Sequence, residues 1–376
     1  MSANRKKVVT AMSGGVDSSV AAMLLHEQNY EVVGISMQVW DYKQNGGCKT
    51  RATCCSPDDF TDARKVAAKI GVPYYVFDFE KTFRKEVIDK FINSYANGLT
   101  PNPCVECNNK VKFRELRDRA TSLGCDYVAT GHYARIESRD GRLTLLRGKD
   151  TSKDQSYFLY GISKHELEST LFPVGDMLKS EVREIARGQG LVTADKPESQ
   201  DICFVSGTVQ EFLYSIGGLK SSGDIVTKSG EVIGRHEGVH NFTVGQRRGI
   251  SIGGREDPLY VVEIDHINDK VIVGERAELE KSSFEVNELS WINRPAAGRF
   301  KAIAQIRSRH KGVNVEVDVK PDGTASVFFE NESAVASPGQ ASVFYDLKNE
   351  EVIGGGRIIN QVSVPLESIT EMAASL

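Results

Sequence analysis

The chain begins with a short apolar run, Val8 to Met12, followed by glycine and polar positions and then by Val20, Met23 and Leu24 at helical spacing. That order predicts a buried strand, a turn and an amphipathic helix. Glu31 to Met37 reads as a second strand, and Ser56-Pro57-Asp58-Asp59 has the form of an N-cap, a first-position proline and an acidic first turn. Phe60, Ala63, Val66, Ala67 and Ile70 follow at helical spacing and stop at Gly71, before a third apolar strand, Pro73 to Phe77. Phe83, Val87, Ile88, Phe91, Ile92 and Tyr95 predict one further helix, and Phe113, Leu116, Ala120 and Leu123 another. Tyr127 to Thr130 closes the series as a strand running into Gly131-His132-Tyr133. Such alternation argues for an α/β class with a doubly wound, mostly parallel sheet that binds ligands at the carboxyl ends of its strands. Ser13, Met37 and Gly131 each fall at or just beyond such an end, so all three are expected to face one nucleotide.

Beyond about residue 205 the texture changes to short, glycine-punctuated strands at 224–227, 231–234, 259–264 and 270–273. Turn signals at such short intervals predict small antiparallel barrels. A break at Asn293-Arg294-Pro295 precedes a second β-rich segment that runs to Val362. The expected division is an α/β domain over 1–205, a small β-rich central domain over 206–285, a C-terminal β-barrel over 286–362 and a tail over 363–376.

Composition narrows the class. With 376 residues, 40% hydrophobic and 26% charged, the chain has the make-up of a globular protein with more than one core. No stretch approaches the roughly 20 apolar residues that cross a bilayer. The basic start Arg5-Lys6-Lys7 enters the first strand directly, without the apolar region of a signal peptide. A cytoplasmic protein without membrane contact is therefore expected. A net charge of −4 means that any nucleic acid must be met by a local basic surface.

The segment Ala11, Met12, Ser13, Gly14, Gly15, Val16, Asp17 and Ser18 carries the first candidate chemistry. Gly14 and Gly15 lack the Cβ atoms that would keep the backbone from a ligand. Backbone N–H groups and the macrodipole of the following helix then favour an anion. A Walker A loop ends in Gly-Lys-Ser/Thr, and no lysine is present here. Ser-Gly-Gly-x-Asp-Ser instead resembles the pyrophosphate-binding loop of enzymes that use ATP to adenylate a substrate. Asp17 is a candidate for orienting either a metal or the loop itself.

Seven cysteines are present: Cys48, Cys54, Cys55, Cys104, Cys107, Cys125 and Cys203. Cys125, just before a strand, is expected to be a small core residue. Cys54-Cys55 with Cys104-x-x-Cys107 offers a structural zinc site, which the adjacency of the first pair argues against. Thr100-Pro101-Asn102-Pro103 stiffens a loop that is expected to enter a helix at Cys107-Asn108, where a thiol has a lowered pKa.

Several further motifs occur in a fixed order: Ala129-Thr130-Gly131-His132-Tyr133, Lys153-Asp154-Gln155-Ser156-Tyr157, Glu198-Ser199-Gln200-Asp201-Ile202-Cys203-Phe204, Thr243-Val244-Gly245-Gln246-Arg247-Arg248-Gly249 and Ser337-Pro338-Gly339-Gln340. With the glycine loop and Thr-Pro-Asn-Pro-x-x-x-Cys-Asn, the set resembles the tRNA-specific 2-thiouridylases over nearly the whole chain. The resemblance implies an N-terminal PP-loop ATPase domain of the adenine-nucleotide alpha-hydrolase kind, a small central domain and a C-terminal β-barrel. It implies replacement of the C2 oxygen of the wobble uridine by sulfur, with ATP, accompanied by Mg2+, as substrate. Cys203 would be the persulfide carrier and Cys107 the nucleophile that closes a transient disulfide with it. Sulfur would arrive from a persulfide-donating relay protein or a cysteine desulfurase. By the same resemblance Met37 and Gly131 join the ATP site, Asn102, Pro103 and Cys104 border the target base, and His132, Lys153, Asp154 and Gln155 lie near the tRNA.

Arg307, Arg309 and Lys311 alternate on a predicted strand and so share a face suited to phosphates. Arg309, His310 and Gln340 match positions that meet tRNA in the resembling family. Gln246-Arg247-Arg248 serves either RNA or domain packing. Two rival classes stay open at this point: a small-molecule adenylating ligase or amidotransferase sharing the loop, and a nonenzymatic RNA-binding or iron–sulfur protein whose cysteines hold a cluster. The first would not need the two cysteines. The second is the less favoured use of Cys54, Cys55, Cys104, Cys107 and Cys203.

Overall fold

Val8 and Val9 are wholly buried because their strand is the middle one of a five-stranded sheet. The computed structural model describes residues 5–40, 57–198, 202–205, 207–217, 221–250, 252, 257–330 and 334–362. The chain forms two compact units: Met1–Ile88 with Pro103–Gly207 and Glu350–Val352, and Asp89–Asn102 with Thr208–Asn349 and Ile353–Leu376.

In the first unit, β1 (Lys7–Ala11), α1 (Val16–Glu27), β2 (Glu31–Gln38), α2 (Pro57–Ile70), β3 (Tyr74–Asp78) and β4 (Tyr127–Ala129) follow the expected order. A hairpin, β5 (Ala134–Arg139) and β6 (Arg142–Arg147), and the two-residue β7 (Thr170–Leu171) come next. The sheet order is β3-β2-β1-β4-β7, with every pair parallel. Val9 faces Val33 on one side and Val128 on the other, which explains why β1 is apolar without alternation. The chain leaves β1 toward β2 and β3, then returns to β4 on the other flank. The crevice at the carboxyl ends of β1 and β4 is thus the switch point of the sheet, where open α/β sheets bind ligands. Val20, Ala21, Ala63, Val66, Val182 and Ala186 pack its helices into one core. The expected N-cap Ser56 lies outside the described residues.

Two expectations change in this unit. The single helix read from Phe83 to Tyr95 is a helical turn over Glu80–Phe83, a π-helical stretch over Arg84–Ile88 and an α-helix over Asp89–Ala96, with the division between the units at Ile88. A π stretch inserts an extra residue per turn, so spacing alone reads straight through it. The hairpin β5–β6 adds to the expected elements, and its turn residues Asp140 and Gly141, with φ of 52° and 74°, are a two-residue hairpin signal.

The second unit holds two β structures. β8 (Gly223–Thr227), β9 (Val232–His236), β10 (Tyr260–Asp265) and β11 (Lys270–Gly274) form a four-stranded sheet in the order β10-β11-β8-β9. β11 and β8 run parallel, with Val271 opposite Ile225, so the central sheet is mixed and not antiparallel throughout as the strand spacing predicts. Turn chemistry fixes hairpins but carries no sign of a pairing made by a long return. β12 (Ser283–Trp291), β13 (Arg299–Gln305), β14 (Val313–Val319), β15 (Ala325–Phe329), β16 (Ala341–Tyr345) and β17 (Glu351–Val362) close into a barrel in the order β12-β15-β14-β13-β16-β17, with β17 returning to β12. Phe284, Val315, Val317, Phe344 and Ile358 fill it. Among the described residues, no helix is long and apolar enough to cross a membrane.

Candidate functional site

The turn after β1 leads straight into the N-terminus of α1. Gly15 caps α1 in an extended conformation and, having no side chain, adds no bond to the N–H groups of the first turn. Those donors are directed by the start of a helix. The hydroxyls shape the loop: Ser13 N–H donates to Ser18 Oγ at 3.1 Å, and Ser18 and Ser19 hydroxyls donate to the Gly15 carbonyl at 3.1 and 2.8 Å. Gly14 has φ of +73°, and a Cβ there would lie 2.7 Å from the Asp59 Cα in the first turn of α2. A Cβ on Gly131 would lie 2.6 Å from Ser18 N. The loop is therefore gripped from both flanks through two glycines. Ala11 ends β1, Met12 and Val16 are buried beside it, and Met37 is 8% exposed near the end of β2. All the residues expected for the nucleotide, Gly131 included, belong to this unit and to the carboxyl edge of its sheet.

Asp17 is held within the protein. Lys179 Nζ donates to both its oxygens at 2.7 Å, and Tyr133 OH donates to Oδ1 at 2.8 Å. Burial, and then the Asp17 charge, raise the Tyr133 phenol far above its ordinary range. Lys179 also lies 3.1 Å from Glu198, which pairs with Lys153 at 2.7 Å. Burial works against the Glu198 charge, but the two lysines outweigh it and lower its pKa. On the other flank, Lys196 bridges Asp59 and Asp62 at 2.6 and 2.7 Å. Burial opposes its charge too, yet the two carboxylates hold its pKa above the usual lysine value. Sequence reasoning misses Lys179 and Lys196, and it quotes Tyr133 and Glu198 within motifs without giving them a part here. Tyr133 and Lys179 lie more than 100 positions from Asp17, and Lys196 as far from Asp59, so no local spacing marks the contacts.

His132 follows β4 and packs between Phe113 and Phe172, with ring centroids 6.2 and 6.1 Å away. Its Nδ1 is 2.7 Å from Thr130 Oγ1. Desolvation, helped by Lys112, pushes its pKa down to about 3, so the ring is neutral at physiological pH. Asp154 is taken up inside its own loop: it pairs with Arg147 at 2.6 Å and accepts from the Gly148 and Ser156 N–H groups. Gln155 in turn accepts from Tyr133 N–H at 3.0 Å.

Cys104, Cys107, Cys125 and Cys203 are thiols. Cys104 is exposed and Cys107 buried. The helix begins at Pro103, four residues before the expected entry, and Cys107 opens a π-helical stretch, Cys107–Lys112. Proline suits a first helical position, which moves the start upstream. Cys125 is half-buried, not a core residue, because it sits at the turn before β4, and burial raises its pKa. Cys203 is half-buried in a turn closed by Val205 N–H to the Ile202 carbonyl at 3.0 Å. The neighbouring Phe204 anchors that turn against Phe83, 5.6 Å between centroids. Cys107 and Cys203 belong to the same unit as the glycine loop. Ser199, Gln200 and Asp201 lie outside the described residues, as do Cys48, Cys54 and Cys55 with the zinc and cluster readings that used them. Among the described residues no three His, Cys, Asp or Glu side chains gather as a metal-binding group.

In the second unit, three of the sequence motifs bond to one another. Gln340 Nε2 donates to the Thr100 carbonyl at 2.8 Å, Thr100 N–H to the Pro338 carbonyl at 2.9 Å, and Thr100 Oγ1 to Thr243 Oγ1 at 3.2 Å. Ser337 Oγ donates to the Val244 carbonyl at 3.0 Å. Gln340 thus clamps the backbone leading to Asn102. Gln246 folds back on its own loop, accepting from Thr243 N–H and donating to the Arg248 carbonyl. Arg307, Arg309 and Lys311 are exposed, but β13 ends at Gln305 and β14 starts at Val313. The three cations therefore crown a hairpin turn, closed by His310 N–H to the Arg307 carbonyl at 2.9 Å, and do not share a strand face. Gly312, with φ of +93°, is the residue that ends the strand pattern there.

Three family models match consecutively: a tRNA methyl transferase HUP domain over residues 6–207, a tRNA methyl transferase PRC-barrel domain over 210–275 and an aminomethyltransferase beta-barrel domain over 281–358. The tRNA-specific 2-thiouridylase MnmA of Geobacter metallireducens is 48% identical over 359 residues, 94% of this chain and 97% of its own. That of Chloroflexus aurantiacus is 46% identical over 355 residues, 93% of this chain and 98% of its own. That of Leptospira interrogans is 41% identical over 377 residues, 99% of each chain. The domain descriptions speak of methyl transfer, whereas the relatives aligned from end to end are thiouridylases.

Proposed function

Because the chain belongs to the tRNA-specific 2-thiouridylases, a family of sulfur-transferring enzymes, we propose that it replaces the C2 oxygen of the anticodon wobble uridine with sulfur in an ATP-dependent reaction. The observation that carries the reading is that one α/β unit contains both the anion-receiving loop and the cysteines Cys107 and Cys203. A methyl transfer would have no use for a loop that binds the phosphates of ATP.

A carbonyl oxygen in a pyrimidine ring leaves poorly, so O2 first attacks the α-phosphorus of ATP and pyrophosphate departs. The N–H groups of the Ser13–Ser18 loop suit the phosphate charge in that step. Mg2+ would add charge neutralisation when bound. Sulfur enters as a persulfide on Cys203, loaded by a sulfur-relay protein or a cysteine desulfurase. The Cys107 thiolate attacks Sγ of Cys203, closing a Cys107–Cys203 disulfide and releasing hydrosulfide, which adds to C2 and expels AMP. A thiol reductant then restores both cysteines. The uridine must leave the anticodon stack to be reached. Asn102, Pro103, Cys104, His132, Lys153 and Gln155 are the residues proposed around it. Arg307, Arg309, His310 and Lys311 are proposed to meet tRNA phosphates from their exposed turn.

The test is reconstitution with purified tRNA, ATP and a persulfide donor, with 2-thiouridine read by mass spectrometry. Cys203→Ser is expected to abolish product and persulfide labelling; Cys107→Ser is expected to abolish product while still accepting persulfide on Cys203. Adenylation, read as tRNA-dependent pyrophosphate release, should persist in both. Full thiolation by either variant refutes the sulfur-transfer steps.

A further inference from the structure

The phosphate loop has no lysine of its own, yet a buried ammonium reaches it from a residue 162 positions later. Lys179 is the first residue of the helix Lys179–Gly188, its N–H fixed by Asp150 at 3.0 Å. Its side chain is 11% exposed, and its Nζ touches both oxygens of Asp17, in the first turn of α1, whose N-cap residue Gly15 has no side chain to offer. Glu198 is a second carboxylate on the same ammonium, at 3.1 Å. Burying an ammonium merely to rivet two helices gains little, since well-packed apolar residues do this as well or better.

We propose that Lys179 is the phosphate-binding cation of this loop, held in readiness by Asp17 and Glu198 and turned onto phosphate oxygens when a nucleoside triphosphate binds. The proposal rests on the nucleotide reading of the Ser13–Ser18 loop. The four-carbon lysine stem allows the ammonium to change partners without moving the helix. Glu198 is the partner it leaves, and Lys153 remains to neutralise that carboxylate. Lys179 would thus do by tertiary contact what a Walker lysine does from within its own loop.

Calorimetric titration of the full-length protein with ATP and with adenosine tests this. Lys179→Met is expected to raise the ATP Kd by about tenfold or more while changing that for adenosine less than about twofold, because removing a charge-assisted hydrogen bond acts on the phosphates alone. Glu198→Gln removes a competitor for the ammonium and is expected to tighten ATP binding by about two- to fivefold. A structural rivet gives the opposite pattern: Glu198→Gln leaves ATP affinity unchanged or weaker, and Lys179→Met alters both ligands alike. Either result overturns the proposal, and Glu198→Gln decides alone if Lys179→Met does not fold. Wild-type protein that binds no ATP overturns the nucleotide reading itself, a failure distinguishable from the first.

Discussion

Gly131→Ala isolates the contact between the end of β4 and the glycine loop that follows β1. The added Cβ would stand 2.6 Å from Ser18 N and 2.7 Å from the Asp17 carbonyl carbon, whereas ordinary contact begins at 3.4 Å. The two backbones must separate by about 0.8 Å, and neither neighbour is a flexible side-chain end. The φ of Gly131 lies outside the left-handed region, so alanine adds no backbone strain and the whole effect comes from that clash. Overpacking of this kind costs about 1–3 kcal/mol of stability. A displacement near 1 Å of groups that position a reacting phosphate costs up to about 10²-fold in rate. The expected outcome is a folded protein with a lowered melting temperature, a raised ATP Kd and tRNA-dependent AMP formation slowed by about 10- to 100-fold. Gly188→Ala is the matched control, since a Cβ there meets nothing within 4 Å and its φ is also ordinary. ATP affinity and AMP formation in Gly131→Ala equal to those of Gly188→Ala would refute the reasoning that the loop is seated on Gly131.

Three further outcomes are expected. Gly339 has φ of +91° and its Cβ would lie 2.8 Å from Thr100 N, so Gly339→Ala should cost about 2–4 kcal/mol and speed hydrogen exchange at the Thr100 amide; an unchanged exchange rate would refute the clamp. His132 titrates at about 3 when folded and near 6.5 when unfolded, so the unfolded chain binds the extra proton between these values. The stability this group contributes is complete above pH 6.5 and is lost as pH falls, by up to about 2 kcal/mol at pH 5. His132→Gln should flatten that part of the urea-unfolding pH profile, and an identical profile would contradict the buried neutral ring. Arg307→Ala with Arg309→Ala should weaken tRNA binding and reduce the slope of log affinity against log salt by about 0.7–0.9 for each phosphate no longer neutralised, with ATP affinity unchanged; an unaltered slope in a filter-binding titration would mean the turn touches only solvent.

Some of this protein is written locally. The apolar run Val8 to Met12, the paired glycines and the hydroxyls at 13, 18 and 19 specify strand, turn and helix start through contacts made within a few residues. Periodicity and turn chemistry report such neighbours directly, which is why this strand, turn and helix start and the α/β character of the first unit are legible. The Asp140-Gly141 turn is local in the same way, although the strands on either side of it are too mixed in polarity to stand out. What leaves no local trace depends on distant chain returning to a site. Lys179 meets Asp17 across 162 positions, and Gln340 reaches Thr100 across 240. The parallel pairing of β11 with β8 and the closure of the barrel by β17 on β12 are of the same kind. The run Arg307 to Lys311 fits a strand by alternation but is a turn, because where β13 stops is decided by its pairing with β14 and β16. Side-chain spacing records which face a residue takes within an element; it does not record where the chain comes back, and that return determines which charges meet around the loop.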